Sequence, residues 1–219
     1  MIFTNKNKSA FTLAEVMMAM LVVGIVALLV IPGIMKDVHN KSRMSLLQSI
    51  TSSLNSHISD ELVRTRSNAI ETTSIVTDPQ AFLENLDTMA GSVFGASYTN
   101  YNGVAANVEK PSSSSTGQGA VHLKNGASVG IINGYDDKSV SAIVVDVNGA
   151  DEPNIVGVDY FMLELAWSDD DTKGIHMGDL GGYVTDQTDA QIKTACLDGD
   201  AMACYKFAEI SGFDPNYLD

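Results

Sequence analysis

The chain has 219 residues, enough for one sizeable domain with an accessory segment. Its 13 basic and 27 acidic residues give a formal net charge of −14, which argues against a protein that binds nucleic-acid phosphates over a broad surface. A hydrophobic fraction of 45% with a mean hydropathy of +0.06 argues against a disordered chain. Two cysteines exclude a disulfide-rich scaffold and a four-cysteine zinc site.

The first 35 residues combine a basic leader with a long apolar segment. Residues 1–10 contain two lysines and no acid, and residues 11–35 contain a single charged residue, Glu15. Residues 16–35 form an uncharged run of 20 residues, and a helix of that length spans about 30 Å, the thickness of a bilayer core. We therefore predict a membrane-spanning helix whose basic N-terminal flank lies in the cytoplasm.

The small residue Ala10 is followed directly by the sequence FTLAE, and no A-x-A cleavage site follows the apolar run. This pattern resembles the prepilin cleavage and methylation signal of type IV pilins and type II secretion pseudopilins. The resemblance implies that prepilin peptidase cuts between Ala10 and Phe11 and that the new N-terminus, Phe11, becomes N-methylated. Ala10 stands where the family usually has glycine.

The same resemblance implies a life cycle and a set of partners. The precursor would lie in the bacterial inner membrane with its C-terminal domain outside the cytoplasm, held by lipid through residues 11–35. It would then join other pilin or pseudopilin subunits at an inner-membrane assembly platform, giving a periplasmic or surface filament. We expect no nucleic-acid partner, because no basic stretch is interleaved with aromatic residues.

Glu15 has two interpretations that can both hold. Thr12 and Glu15 have the spacing of a capping box at a helix start. The resemblance instead implies an assembly role, in which Glu15 pairs with the cleaved α-amine of Phe11 on a neighbouring subunit. It also implies that the helix loosens between Gly24 and Pro32 when subunits pack, since proline lacks an amide donor.

After residue 35 the pattern becomes amphipathic. Apolar residues recur at intervals of three and four at Leu47, Ile50, Leu54, Ile58 and Leu62. Neither proline nor glycine interrupts residues 34–78, so we predict one helix from about residue 12 to about residue 66. Residues 36–67 would be its amphipathic continuation. The alternative is a membrane anchor followed by a separate short helix.

Residues 68–119 are predicted to form a connecting αβ region. A short helix is expected at 79–89, a loop at 91–103 and a flexible serine-rich tract at 111–119.

Residues 120–219 carry the strand signals. The first hairpin is predicted around Asn125-Gly126, because this dipeptide suits a tight turn, and a second turn is predicted at 133–137. Further strands are expected at 140–146 and 158–167, which implies an antiparallel meander. The predicted fold class is therefore α+β, a long helix packed on a small antiparallel sheet, which is the ladle shape of the pilin-like family.

The segment that joins the last two predicted strands, together with the adjoining strand ends, concentrates oxygen-bearing side chains. Asp146, Asn148, Asp151 and Asp159 lie there among glycines. Calcium prefers such hard oxygens, and some pseudopilins that this segment resembles hold a structural calcium. Asp, Asn and Gly also dominate ordinary turns, so a hydrogen-bonded turn without metal is the alternative.

Cys196 and Cys204 lie near the end of the chain. On one unbroken helix their Cα atoms would be about 12 Å apart, too far for a disulfide. Residues 197–200 offer a break that could bring them together, and export permits oxidation. A C-terminal disulfide also resembles pilins; two buried thiols are the alternative.

We expect no enzymatic function, because no nucleophile and base have a recognisable spacing and the four histidines form no ligand pair. The pattern favours a structural filament subunit, whether pseudopilin, minor pilin or major pilin, of a type IV pilus-like or type II secretion machine. The alternative is a signal-anchored extracytoplasmic binding domain that does not polymerise. A DNA-binding competence pilin is a further rival.

Overall fold

The first element of the fold is one long helix. The computed structural model describes residues 11–66, 69–135, 140–167, 178, 180–181 and 186–218. Helix α1 runs over Leu13–Thr65 and contains 53 residues. Arg66 follows it with a φ of +51°, a left-handed conformation that ends a helix. The prediction of one long helix is confirmed, and the alternative of an anchor with a separate short helix is wrong.

The chain divides into two units, Met1–His39 and Asn40–Asp219. In the second unit, helix α1 buries the stripe that the sequence spacing predicts. Leu47, Ile50, Leu54 and Ile58 are buried and Leu62 is half-buried. Burying one such side chain stabilises a fold by about 1.5–3 kcal/mol, so this stripe is a main source of the unit's stability.

An antiparallel sheet supplies the rest of the core. The strands are β1 (Thr88–Met89), β2 (Tyr98–Thr99), β3 (Ala105–Ala106), β4 (Gln118–Leu123), β5 (Ser128–Tyr135), β6 (Val140–Asp146), β7 (Tyr160–Ala166) and β8 (Leu180–Gly181). Six of them form one sheet in the order β1-β4-β5-β6-β7-β8, and β2 pairs with β3 separately. The predicted meander is therefore present as β4 to β7, and the fold class is α+β, a long helix packed on an antiparallel sheet.

The first hairpin turns where the sequence predicts. Gly126 has a φ of +90°, which a residue with a Cβ rarely adopts, and the Asn125 side chain accepts a hydrogen bond from the Ala127 amide at 3.1 Å. The second turn begins later than predicted. Strand β5 continues to Tyr135 through an irregularity between Asn133 and Tyr135, because both residues still pair with β6. Residues 136–139 lie outside the described part of the chain.

The connecting region contains a 3₁₀ turn (Ile70–Thr72), helix α2 (Ser74–Thr77) and helix α3 (Pro79–Glu84). Asp78 caps α3 by accepting the Ala81 amide at 3.1 Å. The predicted helix at 79–89 is too long, because Thr88 and Met89 pair with β4 instead of continuing the helix. The predicted loop at 91–103 also contains strand β2.

Two helices close the chain, α4 (Asp189–Asp198) and α5 (Ala201–Ile210). Gly199 separates them with a φ of +106°, and Asp200 caps α5 by accepting the amides of Met202 and Ala203. This is the break that the sequence offers at 197–200. The two helices can therefore fold back on one another.

Candidate functional site

The apolar segment 11–35 presents its large side chains to the outside of the chain. Phe11, Leu21 and Leu28 are all exposed, although such residues are normally buried in a water-soluble protein. Among the described residues, α1 is the one helix long and apolar enough to cross a membrane, judged by length and composition. A continuous apolar surface of this kind requires lipid or other apolar helices around it.

Glu15 takes part in a capping box at the start of α1. The Thr12 amide donates to Glu15 Oε2 at 2.8 Å and the Thr12 hydroxyl donates to the same oxygen at 2.9 Å. In return, the Glu15 amide donates to Thr12 Oγ1 at 3.3 Å. The capping interpretation of Glu15 is therefore confirmed within one chain.

Glu15 is also the one charged residue lining an open apolar groove. The groove is lined by Phe11, Glu15, Val16, Ala19, Met20, Val23 and Gly24. An apolar surface that carries one carboxylate can contact an apolar helix that brings one positive charge.

Two further predicted positions bear on processing and assembly. Ala10, the residue before the predicted cut, lies outside the described residues, whereas Phe11 is exposed at the beginning of the described chain. The backbone is helical at Gly24 and at Pro32. The predicted loosening between them concerns the packed filament and stays a prediction.

Cys196 and Cys204 form the predicted disulfide. Their Cα atoms are 4.5 Å apart, since the chain reverses at Gly199 between α4 and α5. The bridge is fully buried and lies against Gly157, where an added Cβ would come within 2.7 Å of Cys204 Sγ. The disulfide therefore anchors the C-terminal helices close to the loop between β6 and β7.

That loop, residues 146–159, is called the acidic loop below. It holds all four residues predicted to bind calcium, but their environments differ. Asp146 and Asp159 are buried, Asn148 is half-buried and Asp151 is exposed. Asp151 thus differs from the other three predicted ligands, because its side chain is exposed.

Both buried carboxyl groups are held by hydrogen bonds. The Tyr98 hydroxyl donates to Asp146 Oδ2 at 2.5 Å, and the main-chain amide of Asn148 donates to Asp146 Oδ1 at 3.3 Å. The Ile155 amide donates to Asp159 Oδ1 at 2.6 Å. The carboxylates are therefore placed by the fold, one at the end of β6 and one just before β7.

Burial raises the pKa of Asp146 and of Asp159 to about 7, against hydrogen bonds and the charge of Arg43 that lower both values. Asp146 also raises the pKa of Asp159 by charge repulsion. Burial and the Asp146 charge together raise the pKa of the Tyr98 hydroxyl. Two interacting buried carboxyl groups therefore lie in this loop, and the charge of Arg43 acts on both.

The sequence analysis did not predict that Asn154, Tyr98 and Arg43 belong to this region. Asn154 was visible as a polar residue of the same loop, and its side chain lies against Gly95, where an added Cβ would come within 2.5 Å of Asn154 Oδ1. Tyr98 is 48 residues away from Asp146, and Arg43 lies on α1. No local pattern could have connected these two residues with the loop.

The described residues contain no group of three or more His, Cys, Asp or Glu side chains placed to hold a metal ion. Any ligand set in the acidic loop must therefore include amide or main-chain oxygens.

Comparison with protein families matches residues 5–31 to the model of the prokaryotic N-terminal methylation motif. This motif is the prepilin-type signal of type IV pilins and pseudopilins, so the predicted signal is confirmed. It supports a protein of the pilin or pseudopilin type that is processed as a prepilin. Comparisons with curated proteins and with solved structures found no match.

Proposed function

We propose that this chain is a structural subunit of a pilin-like filament, belonging to a type IV pilus-like or type II secretion machine. The observation that carries the proposal is the coincidence of two features in one segment. The methylation motif covers residues 5–31, and from residue 11 onward the same segment is a helix whose apolar side chains are exposed. A retained, uncovered apolar helix is what a subunit needs in order to exchange lipid contacts for helix contacts.

In this proposal prepilin peptidase removes residues 1–10, and Phe11 becomes the methylated N-terminus. The subunit waits in the inner membrane with the unit Asn40–Asp219 outside the cytoplasm, then joins other subunits at the assembly platform. Association between helices in lipid lacks a hydrophobic driving force, so packing and polar pairs must guide it. Glu15 supplies the polar partner, for the α-amine of a neighbouring Phe11. The role is structural, with no catalytic step.

A non-polymerising, signal-anchored binding domain is the second candidate. The observation that favours it is the capping box, because Glu15 already has hydrogen-bond partners within its own chain. In that case Glu15 would only stabilise the start of α1, and its charge would have no role between subunits.

Mass spectrometry of the protein from its native cells tests processing. We expect a mature chain that begins with N-methylated Phe11. A chain that retains residues 1–10 would overturn the proposed processing and favour the anchor.

A pair of substitutions separates assembly from capping. Glutamine at the third helical position still supports a capping box, so Glu15→Gln keeps the cap but removes the charge. Leucine removes both. If Glu15 pairs with an α-amine, both variants should be processed normally and both should be depleted from sheared filaments by at least tenfold. Filament recovery for Glu15→Gln equal to that of the wild type, with loss only in Glu15→Leu, would leave capping as the whole role.

A further inference from the structure

The charged residues in the middle of helix α1 are concentrated in one short segment. Residues 36–43, called the basic segment below, contain Lys36, Lys41, Arg43 and one acid, Asp37, which gives a net charge of +2. Residues 16–35 before this segment and residues 44–59 after it contain no Lys, Arg, Asp or Glu. Charge on this part of the helix is therefore confined to about two turns.

The sign of this charge is opposite to that of the chain that follows. Residues 67–219 contain 6 basic and 23 acidic residues. Membrane proteins also tend to have few Lys and Arg on the outer flank of a spanning helix, which is where the proposed orientation places the basic segment. A positive segment at this position is thus unexpected from the composition and from the orientation alike, and it points to a negatively charged partner.

The structure separates the basic side chains by exposure. Lys36 and Lys41 are exposed, whereas Arg43 is half-buried. The charge of Arg43 lowers the pKa of the buried Asp146 and Asp159 carboxyl groups, so it acts within the chain. Lys36 and Lys41 are therefore the basic side chains of the segment that an external partner can reach.

The position of the two lysines on α1 indicates what that partner is. An uncharged helical run of 20 residues spans about 30 Å, the thickness of a bilayer core, and the headgroup layer on each side adds about 5–7 Å. Lys36 follows the run directly, and Lys41 lies about 9 Å beyond its end along the helix. Long lysine side chains can reach back several ångströms, so both ammonium groups fit the headgroup layer.

We propose that the basic segment binds anionic phospholipids, with the ammonium groups of Lys36 and Lys41 on the lipid phosphates at the outer surface of the inner membrane. The inference rests on the proposed function, because it requires residues 16–35 to span a membrane. These contacts offset the repulsion between an acidic protein and an anionic membrane. The acidic surface of a second copy is the alternative partner, but the position of the segment directly after the apolar run favours lipid.

Native mass spectrometry of the full chain in neutral detergent micelles tests the proposal. Lys6→Gln and Lys8→Gln are included in every sample, because the leader lysines flank the other end of the apolar run. With equal amounts of phosphatidylglycerol and phosphatidylcholine added, we expect phosphatidylglycerol adducts to be at least about fivefold more abundant. Both lipids carry a phosphate, but phosphatidylglycerol alone has a net negative charge. Equal abundance of the two adducts would overturn the proposal.

Two double variants, matched in the charge that they remove, locate the contact. Lys36→Gln with Lys41→Gln should lower the phosphatidylglycerol adducts to the level of phosphatidylcholine. Arg64→Gln with Arg66→Gln removes two positive charges from the other end of α1 and should keep the preference. Persistence of the preference in the lysine variant, or its loss in the arginine variant, would contradict a contact at the basic segment.

The same spectra report the alternative partner and keep the inference separate from filament assembly. A dimer that forms without any lipid preference and disappears in the lysine variant would identify a second copy as the partner and overturn the lipid proposal. The measurement requires neither cleavage nor filaments. Its failure would therefore leave the proposed filament subunit standing, and an absence of filaments in cells would leave the measured lipid preference standing.

Discussion

Two stretches of the same helix, residues 16–35 and 44–62, are both rich in aliphatic side chains. These side chains are exposed in the first stretch, whereas a stripe of them is buried in the second. Leu21 and Leu29 in the first stretch are 64% and 77% exposed, whereas Leu47 and Leu54 in the second are 0% and 1% exposed. The difference follows from the pattern around the helix. The first stretch is apolar on every face, while the second has one apolar stripe between polar residues.

A stripe can be covered by one sheet of the same chain, but a helix that is apolar on all faces needs partners on all sides. The second stretch therefore determines how stable the unit Asn40–Asp219 is. The first stretch leaves its aliphatic side chains exposed and should contribute little to that stability. This contrast predicts that substitutions in the two stretches separate stability from assembly.

The largest effect is expected from Leu54→Ala. Removing a fully buried leucine should lower the free energy of unfolding by about 3 kcal/mol, because a cavity remains in the core. Leu21→Ala is the matched control and should change it by less than about 0.5 kcal/mol. Urea unfolding in detergent micelles, followed by the fluorescence of Trp167, measures both. Equal losses in the two variants would contradict the contrast between the stretches.

The next largest effect is expected from opening the disulfide between Cys196 and Cys204. A closed loop of this length, with a sequence separation of 8, should stabilise the fold by about 2.5 kcal/mol. Adding reductant should therefore lower the Tm of the wild type. The double variant Cys196→Ser, Cys204→Ser should begin at the lower value and not respond to reductant. A wild-type Tm that is insensitive to full reduction would disprove this contribution.

A smaller effect is expected at Glu61, a buried acid in the second stretch. Burial acts to raise the pKa of Glu61, but hydrogen bonds from Ser74 and Arg64 lower it below its ordinary value of 4.5. The folded state then binds the proton less tightly than the unfolded state. This stability is present above pH 4.5 and is lost as the pH falls through the folded pKa.

Glu61→Gln should accordingly cost about 1 kcal/mol at pH 7 and flatten the loss of stability below pH 4.5. The exposed Glu71→Gln serves as the control. Chemical unfolding at a series of pH values measures both variants. If Glu61→Gln lost stability more steeply in acid than the wild type does, the lowered pKa of Glu61 would be contradicted.

The smallest effect on stability is expected from Glu15→Leu. The side-chain hydrogen bonds described for Glu15 connect it with Thr12, so the unfolding of the unit Asn40–Asp219 should not change. Trp167 fluorescence in urea should give the same midpoint as for the wild type. A shifted midpoint would mean that Glu15 acts on the folded unit, and loss of filaments could then no longer be assigned to assembly.

Local patterns predicted most of the fold. The spacing of apolar residues predicted α1 within one residue at each end, and Asn125-Gly126 predicted the hairpin between β4 and β5. Errors occurred where pairing overrides local preference. Thr88 and Met89 could continue a helix, but β4 offers them backbone partners, so α3 ends at Glu84.

The two candidate sites also differ in how far the sequence could predict them. The methylation motif is a continuous segment, so it could be recognised without any knowledge of the fold, and the matching family model confirms it. The acidic loop was visible as a group of oxygen-bearing residues, but the burial of Asp146 and Asp159 was not. The Ile155 amide donates to Asp159 and the Asn148 side chain donates to the Pro153 carbonyl, and these bonds exist only once the loop has folded.

By itself, the sequence determined the prepilin-type signal, the long helix and the antiparallel order of the main strands, because each depends on residues close together in the chain. Only the tertiary structure decided that Asp159 is buried while Asp151 is exposed, and that Tyr98 and Arg43 act on the acidic loop. Burial and electrostatic interaction depend on distance in space. They arise only when β6, β7 and the amphipathic stretch of α1 have packed together.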